Sequence, residues 1–318
     1  MGRLIDGQWS TEWYEADAAG RFLRDETRFR DSLSRAPGAR FPALAGRYHL
    51  YVSLACPWAH RTLIVRALRQ LDDAVSVSVV HPFMGDDGWS FDDSASGATG
   101  DTVEGHRFLR DLYVQALENY TGRVTVPVLW DRETHTIVNN ESRQIIRMLG
   151  RELGVAGRGP ELCPPSLEAD IDREIDAMYE PINNGVYRAG FATKQPAYDE
   201  AVGDLFSALD QYEARLAKSR YLLGAELTEA DVCLFTTLVR FDSVYHYHFK
   251  CNLRRLRDYP NLWAFTRELA QHPRIGPTVN LEHIKRHYFE SHPTINPTRI
   301  VPRGPIIDWR EPHGRGSG

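Results

Sequence analysis

The sharpest hydrophobic pattern begins at Tyr48. Leu50, Val52 and Leu54 alternate with Tyr51 and Ser53, the two-residue period of a strand. Immediately afterwards Ala59, Leu63, Ile64, Ala67, Leu68 and Leu71 recur at helical spacing, with Pro57 placed where a first helical turn tolerates its missing N–H. Val75–Val80 reads as a second strand. Phe108–Tyr120 reads as a helix with Leu109, Leu112, Tyr113, Ala116 and Leu117 on one side. Arg123–Trp130 and His135–Val138 read as two strands, and Asn140–Leu149 as a helix. Between Gly85 and Gly105 the pattern lapses into Gly, Ser and six acids without a Lys or Arg, which predicts a solvated surface loop.

The flanks differ in character. Residues 1–46 show no sustained period and read as an irregular arm with aromatic anchors at Trp9, Trp13, Phe22 and Phe29. Beyond a Gly- and Pro-containing loop the pattern is helical almost throughout. Leu167, Ile171, Ile175 and Met178 form one stripe, Leu205, Leu209, Tyr212 and Leu216 another, and Pro260–Gln271 a further helix. Thr228-Glu-Ala-Asp231 has the form of a capping box. The expected division is an arm over 1–46, an α/β domain over 47–150, an all-helical domain over 166–292 and a tail over 293–318, whose closing Gly314–Gly318 is expected to be unordered. The strand and helix order β-α-β-α-β-β-α within 47–150 is the thioredoxin plan.

A chain of 318 residues suits two domains, and its 42% apolar content suffices for packed cores. The net charge of −5 argues against a nucleic-acid partner. No apolar run approaches the roughly 20 residues of a spanning helix, and the N-terminal region lacks a signal-peptide core, so no membrane association and a cytoplasmic location are expected. The four cysteines, Cys56, Cys163, Cys233 and Cys251, are too scattered for a disulfide scaffold or for metal ligation. His246/His248 and His283/His287 lack a third ligand, so no metal is expected.

Three features carry chemistry. Cys56 stands where a strand meets a helix. Unpaired N–H groups and the helix dipole favour its thiolate there, whereas the bland reading is a buried Cys ahead of a Pro. Val126-Pro127 puts a Pro at a strand, against the ordinary reading of an edge-strand Pro. In thioredoxin-like folds that bond is cis and faces the active Cys. Asn140-Glu141-Ser142 opens a helix. Its carboxylate and free N–H groups can hold both ends of an amino-acid headgroup, against plain N-capping. Position 59 is Ala, so no second thiol resolves a mixed disulfide at Cys56, and a small thiol must do so from solution.

Cys56-Pro57-Trp58-Ala59-His60-Arg61 resembles the active-site motif of the Xi-class glutathione transferases, the glutathionyl-hydroquinone reductases. The likeness runs from about Tyr48 to Pro305 and includes Gly122–Trp130, Asn140–Ser142, Ile182–Phe191, Leu227–Asp231 and Thr294–Pro297. It implies a thioredoxin-like α/β domain followed by an all-α domain, a homodimer, and reduction of S-glutathionyl-hydroquinones with glutathione, or a related small thiol, as co-substrate and no tightly bound cofactor. On this resemblance Trp89, Arg123, Val126, Glu141 and Ser142 contact glutathione, and Tyr187 and Tyr288 contact the aromatic ring. The rival readings are a glutaredoxin-like or dehydroascorbate-reducing thiol transferase using the same Cys, and a non-catalytic ligand-binding protein on this fold.

Overall fold

The computed structural model describes every residue except Met1, Trp13–Glu15, Gly157 and Ser317–Gly318, and only the backbone of Val155 and Ala156. The anchor expected at Trp13 and the last two residues of the tail therefore lie outside the described residues. The chain forms two compact units: Met1–Trp13, Asp25–Glu161 and Glu282–Ser291 make one, and Tyr14–Arg24, Leu162–Leu281 and His292–Gly318 make the other.

The first unit opens with β1 (Arg3–Ile5) and β2 (Gln8–Ser10), an antiparallel hairpin within the arm expected to be irregular. Asp6 and Gly7 both take positive φ between them. That is the Asp-Gly signal of a two-residue hairpin turn, present in the sequence but too short to register as periodicity. Next come β3 (Tyr48–Val52), α1 (Pro57–Leu68), β4 (Val75–Val79), α2 (Leu109–Ala116), β5 (Gly122–Arg123), β6 (Val128–Asp131), β7 (Thr136–Asn139) and α3 (Ser142–Arg151). The main sheet has the order β4-β3-β6-β7, with β3 parallel to β4 and β6 antiparallel to both β3 and β7.

The expected strand Arg123–Trp130 is divided. β5 pairs with β1, and only after the cis Val126–Pro127 bond does β6 join β3. The helix expected over Phe108–Tyr120 stops at Ala116, because Leu117 turns extended to lead the chain towards β5.

Every residue of β3 is buried, which requires cover on both faces of the sheet. The acidic 85–105 segment supplies part of that cover and corrects the expectation of a solvated loop. Trp89, Phe91 and Ala95 are buried, and Phe91 lies 5.5 Å from the Tyr51 ring. Asp101 accepts from the Tyr51 hydroxyl and from the N–H groups of Val103, Glu104 and His106, while Glu104 accepts from the Trp130 indole. These acids satisfy buried donors, so composition alone misreads them.

The second unit contains α4 (Glu168–Met178), α5 (Gly185–Gly190), α6 (Gln195–Leu216), α7 (Glu229–Arg240), α8 (His246–His248) and α9 (Pro260–Gln271). Wider π-type turns, Tyr179–Asn183 and Phe241–Tyr245, follow α4 and α7. Pro181, which lacks an N–H, sits in the first of them. Helix α7 is buried at every position, so it forms the centre of this unit. Its start is the expected box: Thr228 donates through both N–H and hydroxyl to Asp231, which also accepts from Leu222 N–H. Burial pushes the Asp231 carboxyl up to about 6.

Helix α10 (Leu281–Ser291) departs from the expected 166–292 domain, since Glu282–Ser291 belongs to the first unit. His287 Nδ1–H donates to Pro82 O (3.1 Å), His283 Nε2–H to Ser96 O (2.8 Å), and Ser291 Oγ accepts from Met84 N–H (2.9 Å). The tail is likewise not unordered at Arg315, which ion-pairs with Glu268 and bonds the Arg220 carbonyl.

Candidate active site

Cys56 caps the N-terminus of α1 with extended backbone (φ −76°, ψ 124°) and remains partly exposed. The placement follows from local chemistry. β3 ends at Val52, Ser53 Oγ accepts from Ala55 N–H, and Pro57 begins the helix with its φ already suited to it. The Cys56 carbonyl accepts the first helical bond, from His60 N–H. Its Sγ lies 3.6 Å from the Val126 carbonyl oxygen, so the thiol meets the residue before the cis proline.

Glu141 is the N-cap of α3. One carboxylate oxygen accepts from Arg143 N–H (3.2 Å) and the other lies 3.4 Å from the Thr27 hydroxyl and 3.9 Å from Arg30. Its side chain keeps 30% of its exposure, enough to receive another cation. Ser142 is buried, and its Oγ accepts from Arg61 at 3.4 Å. Arg61 stacks on the Trp58 ring at 4.4 Å. The Cys56 motif and the start of α3 are thereby tied directly.

A second tie was not legible in sequence. The Tyr113 hydroxyl donates to Thr125 O (2.7 Å), beside Val126, and accepts from Asn140 Nδ2–H (3.1 Å), beside Glu141. Phe29 N–H donates to Asn140 Oδ1, the Phe29 carbonyl accepts from Asn140 N–H, and the Phe29 ring stacks on Tyr120. These residues hold the cis-proline loop and the α3 start in register. Tyr113 had only a helical-face signal, and Thr27 and Arg30 had none.

The remaining residues expected at the site are placed as follows. Arg123, on β5, donates to Glu12 O (2.7 Å) and pairs with Asp25 (3.3 Å), so within the chain it holds the arm. Trp89 is 6% exposed and stacks on His287 with centroids 4.7 Å apart. Tyr288 is buried on α10, in the same unit as Cys56. Tyr187 lies on α5 in the helical unit, beneath the Arg24 guanidinium at 5.0 Å and against Phe249 at 5.5 Å. Arg24 also donates to Asn184 Oδ1 at 3.0 Å, so residues of the arm shape the surroundings of this tyrosine.

Cys163, Cys233 and Cys251 are all buried. Among the described residues no group of three or more His, Cys, Asp or Glu could hold a metal ion. His283 and His287 instead tether α10.

Comparison with known proteins identifies the family of both units. Residues 55–152 match the glutathione S-transferase N-terminal domain family and residues 195–268 the glutathione S-transferase C-terminal domain family. The chain is 53% identical to the glutathionyl-hydroquinone reductase YqjG of Escherichia coli K12, over 99% of this chain and 98% of that one. Among solved structures, a Xi-class transferase from Natrialba magadii superposes with a TM-score of 0.93 at 52% identity, covering 99% of this chain and 96% of its own. The glutathione-bound structure of YqjG, a glutathione transferase homolog from E. coli K-12, superposes with a TM-score of 0.90 at 50% identity, covering 99% of both chains.

Proposed function

Because the chain belongs to the Xi class of the glutathione transferase family, we propose that it is a glutathionyl-hydroquinone reductase whose nucleophile is Cys56. The observation that carries this reading is the Cys56 Sγ at the start of α1, 3.6 Å from the carbonyl that precedes a cis proline. The helix N-terminus favours the thiolate, and the Val126 backbone is an edge on which a peptide-like thiol can pair. Glu141 receives the ammonium of glutathione and the N–H groups at the start of α3 receive its carboxylate. Trp89 and Arg123 complete the thiol site.

The Cys56 thiolate attacks the sulfur of the glutathionyl-hydroquinone. A Cys56–glutathione disulfide forms, the sulfur–ring bond breaks, and its electron pair leaves on the ring carbon, which takes up a proton. Tyr288 and Tyr187 serve as the phenolic donors that stabilise the ring or deliver this proton. Position 59 is Ala, so a second glutathione thiolate attacks the mixed disulfide, releasing glutathione disulfide and the Cys56 thiolate. One glutathionyl-hydroquinone and one glutathione thus give one hydroquinone and one glutathione disulfide.

The protein acts in the cytoplasm as a homodimer. Four free cysteines fit a reducing compartment, and among the described residues no helix is long and apolar enough to cross a membrane.

The deciding experiment is turnover of a glutathionyl-hydroquinone, with intact-mass analysis under limiting glutathione. One reductant-labile glutathione on Cys56 and parallel initial-rate lines are expected. Intersecting lines without an adduct would indicate a conjugating transferase. Faster turnover of a simple mixed disulfide than of the thioether would favour a glutaredoxin-like enzyme, and no turnover at all would favour a carrier.

A further inference from the structure

Helix α10 joins the first unit from the far end of the chain, and the face it turns to the 81–96 segment is regular. His283, His287 and Ser291 stand at i, i+4 and i+8, and they bond Ser96 O, Pro82 O and Met84 N–H. That segment carries Trp89, and α10 carries Tyr288. The tether therefore sets the register between a residue assigned to the thiol site and one assigned to the ring site.

His287 does more than tether. Its ring stacks on Trp89 with centroids 4.7 Å and planes 25° apart, and it meets Tyr288 edge to face at 5.2 Å and 71°. Its Nδ1–H donates to Pro82 O at 3.1 Å, which restricts rotation of the imidazole. All three rings are buried, so packing against one another orients them where solvent cannot. Every one of these residues belongs to the unit that carries Cys56.

We infer that His287 is a positioning residue for reduction of the thioether: it holds Trp89 and Tyr288 in one fixed relation, so that the glutathionyl sulfur and the aromatic ring are presented to Cys56 together. This role rests on the reaction proposed above, in which the sulfur–ring bond breaks and the ring carbon takes up a proton. Misplacing a reacting group by about 1 Å can cost about 10²-fold in rate, so a loosened Tyr288 should slow that step. A substrate without a ring asks nothing of this relation. With the mixed disulfide of glutathione and 2-mercaptoethanol, the Cys56 thiolate attacks the glutathione sulfur and the S–S bond breaks. 2-Mercaptoethanol then leaves as its thiolate, and no carbon takes up a proton.

The test is the ratio of turnover with a glutathionyl-hydroquinone to turnover with that disulfide, measured on one preparation of the full chain. The ratio does not depend on how much of the enzyme is folded. His287→Asn keeps an N–H donor near the Nδ1 position and removes the ring, and should lower the ratio about tenfold. His287→Leu carries the same expectation should the Asn variant not fold. His287→Phe keeps a ring between Trp89 and Tyr288 and should hold the ratio within about threefold of the wild type. In a Tyr288→Phe background His287→Asn should change the ratio by less than about twofold, because its effect runs through Tyr288. His283→Ala, which removes a neighbouring tether of α10, should also change it by less than about twofold. An unchanged ratio in a ringless variant, a Phe variant as impaired as Asn, additive losses in the double variant, or an equal fall in His283→Ala would each overturn the role of His287 and leave the reaction standing. No thioether turnover in the wild-type chain would overturn the reaction and, with it, the role of His287.

Discussion

Cys56 and Cys251 are the same residue in opposite surroundings. Cys56 begins a helix, is partly exposed, and points its sulfur at the carbonyl before a cis proline. Cys251 is fully buried beside the carbonyls of Val186 and Phe249, and burial pushes its thiol far above the ordinary range. Desolvation opposes the thiolate at one site, and a helix N-terminus is the kind of place that favours it at the other. On the proposed function, reactivity is a property of the junction that carries the cysteine.

The strongest way to break this contrast is to exchange the two roles. Cys56→Ser should lower reductive turnover by about 10³-fold or more with the fold intact, because a serine hydroxyl is a far weaker nucleophile than a thiolate at neutral pH. Cys251→Ala should leave turnover within about twofold and cost roughly 1 kcal/mol of stability, as expected for a small buried group. Turnover assays with thermal unfolding check both. A Cys251 variant with normal stability and lost turnover would refute the assignment.

A smaller effect tests the leaving group. Tyr288→Phe or Tyr187→Phe should slow formation of the Cys56 adduct by about 10²-fold, in the range of general acid catalysis, and leave its resolution by thiol unchanged. Rapid-quench mass analysis separates the steps. The reverse pattern would assign these tyrosines to thiol binding.

Smaller again is the headgroup contact. Glu141 is both an N-cap and an accessible charge. Glu141→Ala should raise the dissociation constant for glutathione about tenfold, less than a fully buried pair would. Glu141→Gln keeps an acceptor for Arg143 N–H and should lose affinity with little loss of stability. Unchanged affinity in both variants, measured by calorimetry, would leave Glu141 a cap alone.

The desolvation that disarms Cys251 also acts on His49, buried beside Ser76 and lowered to about 4. The unfolded chain takes up the proton near 6.5 and the folded chain only near 4. Stability is therefore fully present above 6.5 and falls as pH drops towards 4. The loss should reach at most about 2 kcal/mol at pH 5. His49→Gln should flatten that part of the profile in denaturant melts, and an unchanged slope would place the acid sensitivity elsewhere.

Much of the candidate site was legible because its features are local. Cys56-Pro57, Val126-Pro127 and Glu141-Ser142 each combine a backbone constraint with a functional group within two residues, and periodicity places each at an element boundary. The Thr228–Asp231 box and the helix Pro260–Gln271 were readable for the same reason.

What the sequence by itself determined was therefore the order of the main strands and helices, the place of Cys56 at a strand-to-helix junction and the absence of a second thiol three residues on. Tertiary structure decided the rest. It placed α10 with the thioredoxin-like unit through His283, His287 and Ser291, and gave the acidic 85–105 segment the task of covering the sheet. It also used Tyr113 to join Thr125 to Asn140, and used arm residues to surround Glu141 and Tyr187. Each of these rests on side chains distant in the chain satisfying one another's buried donors and acceptors. Such pairings leave no period or spacing in the sequence, because they are selected only when folding removes water from both partners.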